Sequence, residues 1–430
     1  MLRKAGKGNG LLGKGILIGD QELKNINIDI PKPVGEILDT LNGAGFEAYI
    51  VGGCVRDCIL GRTPKDWDIT TQALPDQVKS LFGATADTGL EHGTVMVIKK
   101  GTGYEVTTFR IDGRYLDGRH PEKVEFTPSL EEDLKRRDFT INAFAYSRQK
   151  GVIDLFGGKE DLERGLIRCV GNPMERFDED ALRIMRAVRF GAQLGFKIEK
   201  KTRHAIKRSA KKLEKVSTER IRTEFEKTLL SDNPKAVNLY KKYRLAPYIF
   251  PEVYERCFGK INALELEQIN EPDEEDLKDL RLPAFFDKLT ADEAAKTLKN
   301  FTYDNRTKSR VSCIIRFSQI KAEEDRPSVK RMMNKAGADI FILAQKLMIA
   351  RSKVLGTKAD HYERLIQTAE DIIKSGEPYK VSDLAVNGKD LMDAGISEGP
   401  EIGRRLEEIL EKVIDEPELN EKEKILERFS

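Results

Sequence analysis

Two aspartates separated by one residue, Asp66 and Asp68, are the first feature of this sequence that could do chemistry. They overlap the segment WDITT (67–71), which we predict to be a β-strand, and residues i and i+2 of a strand point to the same face. Neighbouring carboxylates repel each other unless a cation lies between them. The pair therefore predicts a site for magnesium ions, which could activate a hydroxyl nucleophile and stabilise a departing pyrophosphate. An isolated Asp-x-Asp string is more often a solvated turn.

A glycine pair precedes the aspartates. Gly52 and Gly53 follow the predicted strand YIV and come directly before a helix-compatible run, CVRDCIL. Glycines at a strand-to-helix turn let backbone amides approach a phosphate closely, and Arg56 would add positive charge one turn into the helix. An ordinary turn is the plain alternative for a glycine pair. Its position shortly before Asp66 and Asp68 favours the phosphate-binding interpretation.

A third carboxylate is usual in sites of this kind. Glu105, in the predicted strand segment YEVTTFRI (104–111), is our candidate. The alternative is a glutamate at the strand edge that faces water.

In two later segments, polar residues lie between apolar residues whose spacing predicts that they pack in the core. In KRRDFTINAF (135–144) the polar residues are Arg137, Asp138 and Asn142, and the plain alternative is a capping aspartate with a structural asparagine. In EDALRIMRAVRF a polar residue recurs at every third position, so that neighbours on a helix could act together. These residues are Asp180, Arg183, Arg186 and Arg189. A surface helix with an internal ion pair is the alternative for that row.

The elements that must position these residues change character near residue 155. Short β-type segments bounded by glycine, proline or charge are predicted at 48–53, 67–71, 94–100, 104–111, 124–127 and 151–156. Two amphipathic helices are predicted among them, at 31–45 and 73–82. Later helices are predicted at 179–196, 199–216, 218–232, 339–355, 361–376 and 403–416. The acidic stretch 265–283 is predicted to be a loop-rich connection or a variable helix. The fold class is therefore α+β, with a mixed head followed by a helical body.

Composition sets wider limits. The 430 residues include 74 Lys and Arg against 72 Asp and Glu, so a nucleic-acid surface would have to be local. Five scattered cysteines argue against a disulfide framework, and no ligand set completes a zinc site around Cys54 and Cys58. No apolar run reaches the length of about eighteen residues that a membrane span needs. Residues 1–29 are interpreted as a flexible extension without an export signal, so we expect a cytoplasmic protein.

The segment GGCVRDCILGRTPKDWDITT resembles the signature motif of tRNA nucleotidyltransferases and bacterial poly(A) polymerases, a branch of the DNA polymerase β-like superfamily. The resemblance continues in order through HGTVMV, RRDFTINAFAY, DLFGGKEDLERGLIRCVGNP, RFDEDALRIMRAVRFGAQLGF and TERIRTEFEKTLL, over about residues 30–235. It implies a polymerase β-like head at 30–155, a helical neck at 156–235 and a tRNA-binding body and tail at 236–430. Magnesium, ATP, CTP and tRNA are the implied cofactor and partners.

The resemblance also implies residue roles. Arg137 would contact the phosphates of the incoming nucleotide, and Asp138 and Asn142 would lie near its ribose, where an asparagine can meet a 2′-hydroxyl. Arg186 and Arg189 would belong to the same nucleotide pocket.

Base selection can be argued from hydrogen-bond patterns. Cytosine and adenine each present an amino donor beside a ring-nitrogen acceptor, whereas uracil and guanine present a carbonyl beside a ring N–H. A carboxylate from Asp180 and a guanidinium from Arg183 match the first pattern and clash with the second. Each contact discriminates by roughly 1–3 kcal/mol, so one such pair would accept CTP and ATP without a template.

The RNA surface and the product are less well defined by the sequence. Residues 197–215 carry nine Lys and Arg against two Glu, and a phosphate-tracking stripe or a solvated helix face would both fit this pattern. The stripe consists of Lys200, Arg203, Lys207, Lys211 and Lys215. Among the activities of the family, an intact loop at 111–126 disfavours CC-only addition. Full CCA addition leads over A-only addition, poly(A) synthesis and a catalytically silent RNA-binding protein.

Overall fold

The structure is a computed structural model that describes residues 26–89, 93–112, 124–396 and 399–429. Two compact units divide the chain, Met1–Pro251 and Glu252–Ser430. The predicted boundaries of head, neck and body lie within these units and remain predictions. The N-terminal extension and the middle of the loop at 111–126 fall largely outside the described residues.

A seven-stranded mixed sheet forms the centre of the first unit, in the order β3-β4-β5-β2-β1-β8-β9. Its strands are β1 (Ala48–Val51), β2 (Ile69–Thr71), β3 (Thr85–Gly89), β4 (Thr94–Lys99), β5 (Thr102–Thr108), β8 (Phe144–Ser147) and β9 (Gly151–Asp154). Strands β6 (Arg110–Asp112) and β7 (Val124–Phe126) pair with each other, as do β10 (Leu166–Ile167) and β11 (Lys197–Ile198). The predicted α+β class is confirmed, although β3, β8, β10 and β11 were not predicted.

Strand pairing brings two distant parts of the sequence side by side. Strand β2 runs parallel to β5 with Ile69 opposite Val106, and antiparallel to β1 with Ile50 opposite Ile69. The strand predicted from 67 begins only at Ile69, so the prediction that Asp68 lies within a strand was wrong. The backbone there is still fixed, because the amide of Val51 donates to the carbonyl of Asp68 at 3.0 Å.

Helices cover the sheet and connect it to the neck. They are α1 (Lys32–Gly43), α2 (Gly53–Ile59), α3 (Pro75–Leu81), α4 (Leu130–Lys135) and α5 (Gly158–Arg164). The first of them, α1, buries Val34, Ile37, Leu38 and Leu41, the apolar stripe that the sequence predicted.

The neck begins with two helices where the sequence predicted one. The first, α6 (Pro173–Glu179), ends before Asp180, which has extended backbone angles (φ −138°, ψ 107°), and α7 (Leu182–Leu194) begins two residues later. The amide of Leu182 donates to the Asp180 carboxylate at 3.0 Å. The predicted helix over 179–196 was therefore wrong at its start, because a short aspartate side chain captures a free amide and interrupts the helix. The neck continues with α8 (Lys200–Ser209), a 3-10 helix (Ala210–Lys215) and α9 (Thr218–Leu229).

The remaining helices complete the chain. The first unit ends with α10 (Asn238–Lys242) and α11 (Ala246–Ile249). The second contains α12 (Tyr254–Cys257), α13 (Lys260–Gln268), α14 (Glu274–Phe285), α15 (Ala291–Asn300), α16 (Asn305–Ser318), α17 (Arg326–Ala336), α18 (Ala338–Leu355), α19 (Asp360–Ser375), α20 (Gly388–Asp393), α21 (Pro400–Asp415) and α22 (Lys422–Phe429). Much of the acidic stretch 265–283 is helical, in α13 and α14. Over the described residues, no helix is long and apolar enough to cross a membrane.

Candidate active site

The turn between β1 and α2 requires glycine at one position. Gly52 has φ +84°, in the region that L-residues with a Cβ atom avoid. A Cβ atom built on Gly52 would also lie 3.0 Å from Nη1 of Arg137. The glycine therefore serves both the backbone conformation and the close approach of a guanidinium to the turn.

Asp68 and Glu105 meet where β2 and β5 lie side by side. Asp68 immediately precedes Ile69, and Glu105 immediately precedes Val106. Ile69 and Val106 are opposite each other in the two strands, and adjacent strands are about 4.8 Å apart. Desolvation, followed by the charges of Asp68 and Asp66, raises the pKa of Glu105. Asp68 retains an exposed surface, and the pKa of its carboxyl is raised. Desolvation is the largest cause and the charge of Asp66 adds to it, while the charge of Arg137 acts in the opposite direction. The three carboxylates therefore form one region of negative potential.

This donor set fits a divalent cation. Within the part of the chain that the structure describes, no three candidate ligands form a ready-made metal cage. Magnesium, however, is commonly held by one or two carboxylates together with water and substrate phosphates. Asp66 and Asp68 supply oxygen donors in the required number, and their repulsion would be relieved by a cation.

The guanidinium of Arg137 supplies positive charge beside Asp68. Its Nη2 donates to the buried Asp133 at 3.3 Å, while its buried Nε has no hydrogen-bond acceptor among the described residues. A buried donor without an acceptor is costly, and an anionic ligand would supply one. The sequence analysis did not identify Asp133, although its i,i+3 and i,i+4 spacing to Arg136 and Arg137 is a recognisable signal.

Asp138 connects the head to the neck. Its Oδ1 accepts a hydrogen bond from the Asn142 side chain at 3.1 Å, and its Oδ2 accepts one from Nε of Arg186 at 2.7 Å. Arg56 donates in turn to Oδ1 of Asn142 at 2.5 Å. Although burial of Asp138 opposes ionisation, Arg186, Asn142 and Arg183 lower its pKa to about 2. Four predicted nucleotide ligands therefore form one hydrogen-bonded chain here.

Asp180 and Arg183 do not face each other in this structure. The carboxylate of Asp180 binds Arg220 of α9, with Oδ2 accepting from Nη2 at 2.9 Å. Arg183 donates to the carboxylate of Glu179 and to the carbonyl oxygen of Arg136, the latter at 2.9 Å. Arg220 and Glu179 were not predicted, because neither belongs to the row of polar residues at every third position.

Arg189 is also bound to a residue that the sequence analysis did not identify. Its Nε donates to Glu224 of α9 at 2.5 Å, and its Nη1 donates to Gln193 at 2.9 Å. Glu224 is buried, so the pair fixes α9 against α7. Charged groups on two neighbouring helices are thus held in register.

The five residues of the predicted basic stripe are all exposed. A groove beside α8 is lined by Lys200, Arg203, His204, Lys207 and Arg208, together with Asn172, Pro173, Met174, Lys201 and Ala205. The nearby Lys212 is not part of the stripe or the groove lining, and its charge is compensated by an ion pair with Asp178. The groove therefore presents concentrated positive charge outside the region of Asp68.

Three segments of the chain match known family models. Residues 48–168 match the Poly A polymerase head domain, and residues 195–256 match the probable RNA and SrmB-binding site of polymerase A. Residues 282–429 match tRNA nucleotidyltransferase domain 2. The predicted boundaries of the head, neck and body remain predictions.

Whole proteins are similar over nearly their full length. The chain is 40% identical to the CCA-adding enzyme of Ligilactobacillus salivarius over 399 residues, which cover 91% of this chain and 94% of the relative. It is 38% identical to the CCA-adding enzyme of Enterococcus faecalis, over 93% and 95% of the two chains. Among solved structures, the Bacillus stearothermophilus CCA-adding enzyme in complex with CTP matches with a TM-score of 0.79 and 33% identity, over 93% of this chain and 97% of that one.

Proposed function

The chain belongs to the CCA-adding enzymes, and we propose that it adds C, C and A to the 3′ end of tRNA, from CTP and ATP and without a template, in the cytoplasm. The observation that carries the chemistry is the convergence of Asp68, Glu105 and Arg137 beside the Gly52 turn. Acidic oxygens and a guanidinium with a free buried donor are the two kinds of group that nucleotidyl transfer needs.

We assign the transfer step to the head. Magnesium held by Asp66 and Asp68 would activate the 3′-hydroxyl and neutralise charge on the leaving pyrophosphate. Glu105 adds a third carboxylate beside Asp66 and Asp68 and strengthens the attraction of this region for cations. Arg137 directs its Nε and Nη1 groups toward the triphosphate, and Gly52 leaves space for both the guanidinium and the phosphate. Gly53 gives the next backbone amide the same access.

We assign base selection to the neck. Asp180 accepts from the amino group of cytosine or adenine, and Arg183 donates to the adjacent ring nitrogen. The Asp180 carboxylate binds Arg220 and the Leu182 amide, which leaves acceptor capacity on Oδ2 for a base. Arg183 would have to exchange a contact with Glu179 or with a backbone carbonyl for the base. These groups are held in place by a surrounding set of hydrogen-bonded polar residues: Asp138, Asn142, Arg56, Arg186 and Arg189.

The basic groove beside α8 is the proposed contact for the tRNA backbone. Lys200, Lys207 and Arg208 are exposed and have no carboxylate partner among the described residues. Unneutralised cations on a concave surface release counterions when phosphates replace them, which favours binding to a nucleic acid.

Incorporation on defined tRNAs tests the function. Labelled CTP and ATP are offered separately and together to tRNAs that end at the discriminator base, at C and at CC. Full addition predicts C on the first two substrates and A on the third. A alone, and only after CC, would identify an A-adding enzyme, while long A tails on unrelated RNA would identify a poly(A) polymerase. No incorporation on any substrate would refute the enzymatic function.

The catalytic assignment has a matched variant. Asp68→Asn removes one negative charge from the group of Asp66, Asp68 and Glu105. It should abolish nucleotidyl transfer while leaving tRNA binding largely intact. Asp76→Asn, an exposed aspartate at the start of α3, is the control. Loss of tRNA binding in Asp68→Asn alone would show that the residue is structural.

A further inference from the structure

Phe190 lies among three arginines. Its ring centroid is 4.0 Å from Cζ of Arg189, 5.2 Å from Cζ of Arg186 and 5.3 Å from Cζ of Arg56. The edge-to-face neighbour Phe139 lies at 5.8 Å, with an interplanar angle of 80°. The ring is only 6% exposed, so water contributes little to the solvation of the guanidinium groups on this side.

Each of the three guanidinium groups has a carboxylate partner besides the ring. Arg56 binds Asp57 at 2.8 and 2.9 Å, Arg186 binds Asp138 and Arg189 binds Glu224. Three like charges that converge on one place repel one another, and the carboxylates compensate for only part of their surfaces. An aromatic face carries negative charge density and attracts cations, which an aliphatic side chain of similar volume does not.

The arginines come from different parts of the site. Arg56 lies one turn after the Gly52–Gly53 turn, in the head, while Arg186 and Arg189 lie on α7 of the neck. Through Asn142 and Asp138, Arg56 and Arg186 also belong to one hydrogen-bonded chain. Phe190 therefore contacts arginines from two elements: the helix that follows the Gly52–Gly53 turn and α7, the helix assigned to base selection.

We propose that Phe190 is a positioning residue for nucleotide binding, whose ring face holds Arg56 and Arg186 in the orientation that the incoming nucleotide requires. This inference rests on the function proposed above. Filling the core is the plain alternative role, and it would require only the volume of the ring. The two roles differ because the first depends on the charge distribution of the ring.

Fluorinated phenylalanines separate these roles. Fluorine atoms withdraw electron density from the face of the ring with little change in volume, so mono-, di- and trifluorinated phenylalanine at position 190 weaken its attraction for cations stepwise. We expect the KM for CTP and for ATP to rise with each step, to roughly 5- to 30-fold in the trifluorinated protein. The melting temperature and the KM for tRNA should remain close to those of the wild type.

Phe190→Leu provides a second variant made of natural residues. It should raise the nucleotide KM more than it lowers kcat, and Phe190→Tyr should restore the wild-type KM because it keeps an aromatic face. Phe341→Leu is the matched control, since Phe341 is a fully buried phenylalanine of the second unit. It should lower thermal stability without changing the KM for either nucleotide.

A nucleotide KM that is the same throughout the fluorinated series would overturn the proposal. If the wild type incorporated neither nucleotide, the proposed function would fail instead. The dissociation constants of CTP and ATP, measured by calorimetry on the same series, would then test Phe190 directly. Affinity that falls with fluorination supports the positioning role, and unchanged affinity rejects it.

Discussion

The carboxylate of Asp180 accepts two hydrogen bonds from the guanidinium of Arg220, at 2.9 Å from Nη2 to Oδ2 and at 3.4 Å from Nη1 to Oδ1. The two residues are 40 positions apart in the sequence and belong to the α6–α7 junction and to α9. The contact holds in place the carboxylate that is proposed to read the base, and a carboxylate can only accept hydrogen bonds. Uracil and guanine, which present a carbonyl there, would meet an acceptor.

Arg220→Gln should therefore relax base choice. Without the guanidinium, the Asp180 side chain can rotate away from the position in which it would meet the amino group of the base. We expect misincorporation of UTP relative to CTP to rise by about tenfold, which corresponds to about 1.4 kcal/mol. Arg220→Lys should give an intermediate value, and Lys227→Gln, an exposed residue of the same helix, should behave as the wild type. Unchanged selectivity in Arg220→Gln would contradict the role of the contact.

Gly52→Ala should reduce nucleotide affinity as well as stability. The positive φ of Gly52 makes a Cβ atom unfavourable by roughly 1–2 kcal/mol, and that atom would press on Nη1 of Arg137 at 3.0 Å. We expect the KM for CTP to rise at least tenfold. Gly43→Ala is the control, because Gly43 ends α1 with negative φ and a Cβ atom built on it meets nothing within 4 Å. Equal effects of the two substitutions on the KM would exclude a specific role for the turn.

The sequence predicted those parts of the site that depend on local geometry. The Gly52 turn follows from a strand that meets a helix. Asp68 was proposed from its i,i+2 spacing to Asp66, and Glu105 as a third carboxylate on a neighbouring β-type segment. The register of β2 and β5 then places them next to each other. The fold class followed from the change from short β segments to helical periodicity near residue 155.

Long-range partners could not be predicted in the same way. Arg220 and Glu224 matter because they face charged groups from other elements, and the spacing of residues within one element carries no information about such pairs. Asp133 differs, because its spacing to Arg136 and Arg137 is a local signal. The interruption of the helix at Asp180 was missed for a related reason. The run EDALRIM suits a continuous helix, and only the bond from the Leu182 amide to Asp180 shows that the residue acts as a cap.

The depressed pKa of Asp138 predicts a specific dependence of stability on pH. Since its folded pKa is about 2 and an unfolded aspartate titrates near 3.9, its ionised form stabilises the protein above about pH 4. This stabilisation is lost as the pH falls through about 2. The difference in the free energy of unfolding between wild type and Asp138→Asn should therefore narrow by about 1 kcal/mol between about pH 5 and about pH 3. Urea unfolding at each pH measures this difference, and a constant difference would show that Arg186 and Asn142 do not favour the ionised form.

Neutralising the basic groove should weaken tRNA binding in a salt-dependent manner. Each phosphate contact contributes about 0.7 to 0.9 to the slope of log affinity against log salt, so Lys200→Gln, Lys207→Gln and Arg208→Gln together should reduce that slope by about 2. The KM for CTP should not change, because the groove lies apart from the residues assigned to the nucleotide.

The control for the groove must remove the same charge from another surface. A triple variant of Lys79, Lys150 and Arg164 to glutamine does so, since these residues lie outside the groove and form ion pairs with Asp87, Glu47 and Glu160. Their charge is already compensated within the protein, so few counterions are released there when RNA binds. If the two triple variants lowered the slope equally, net charge alone would explain the binding of tRNA, and the groove beside α8 would have no specific part in it.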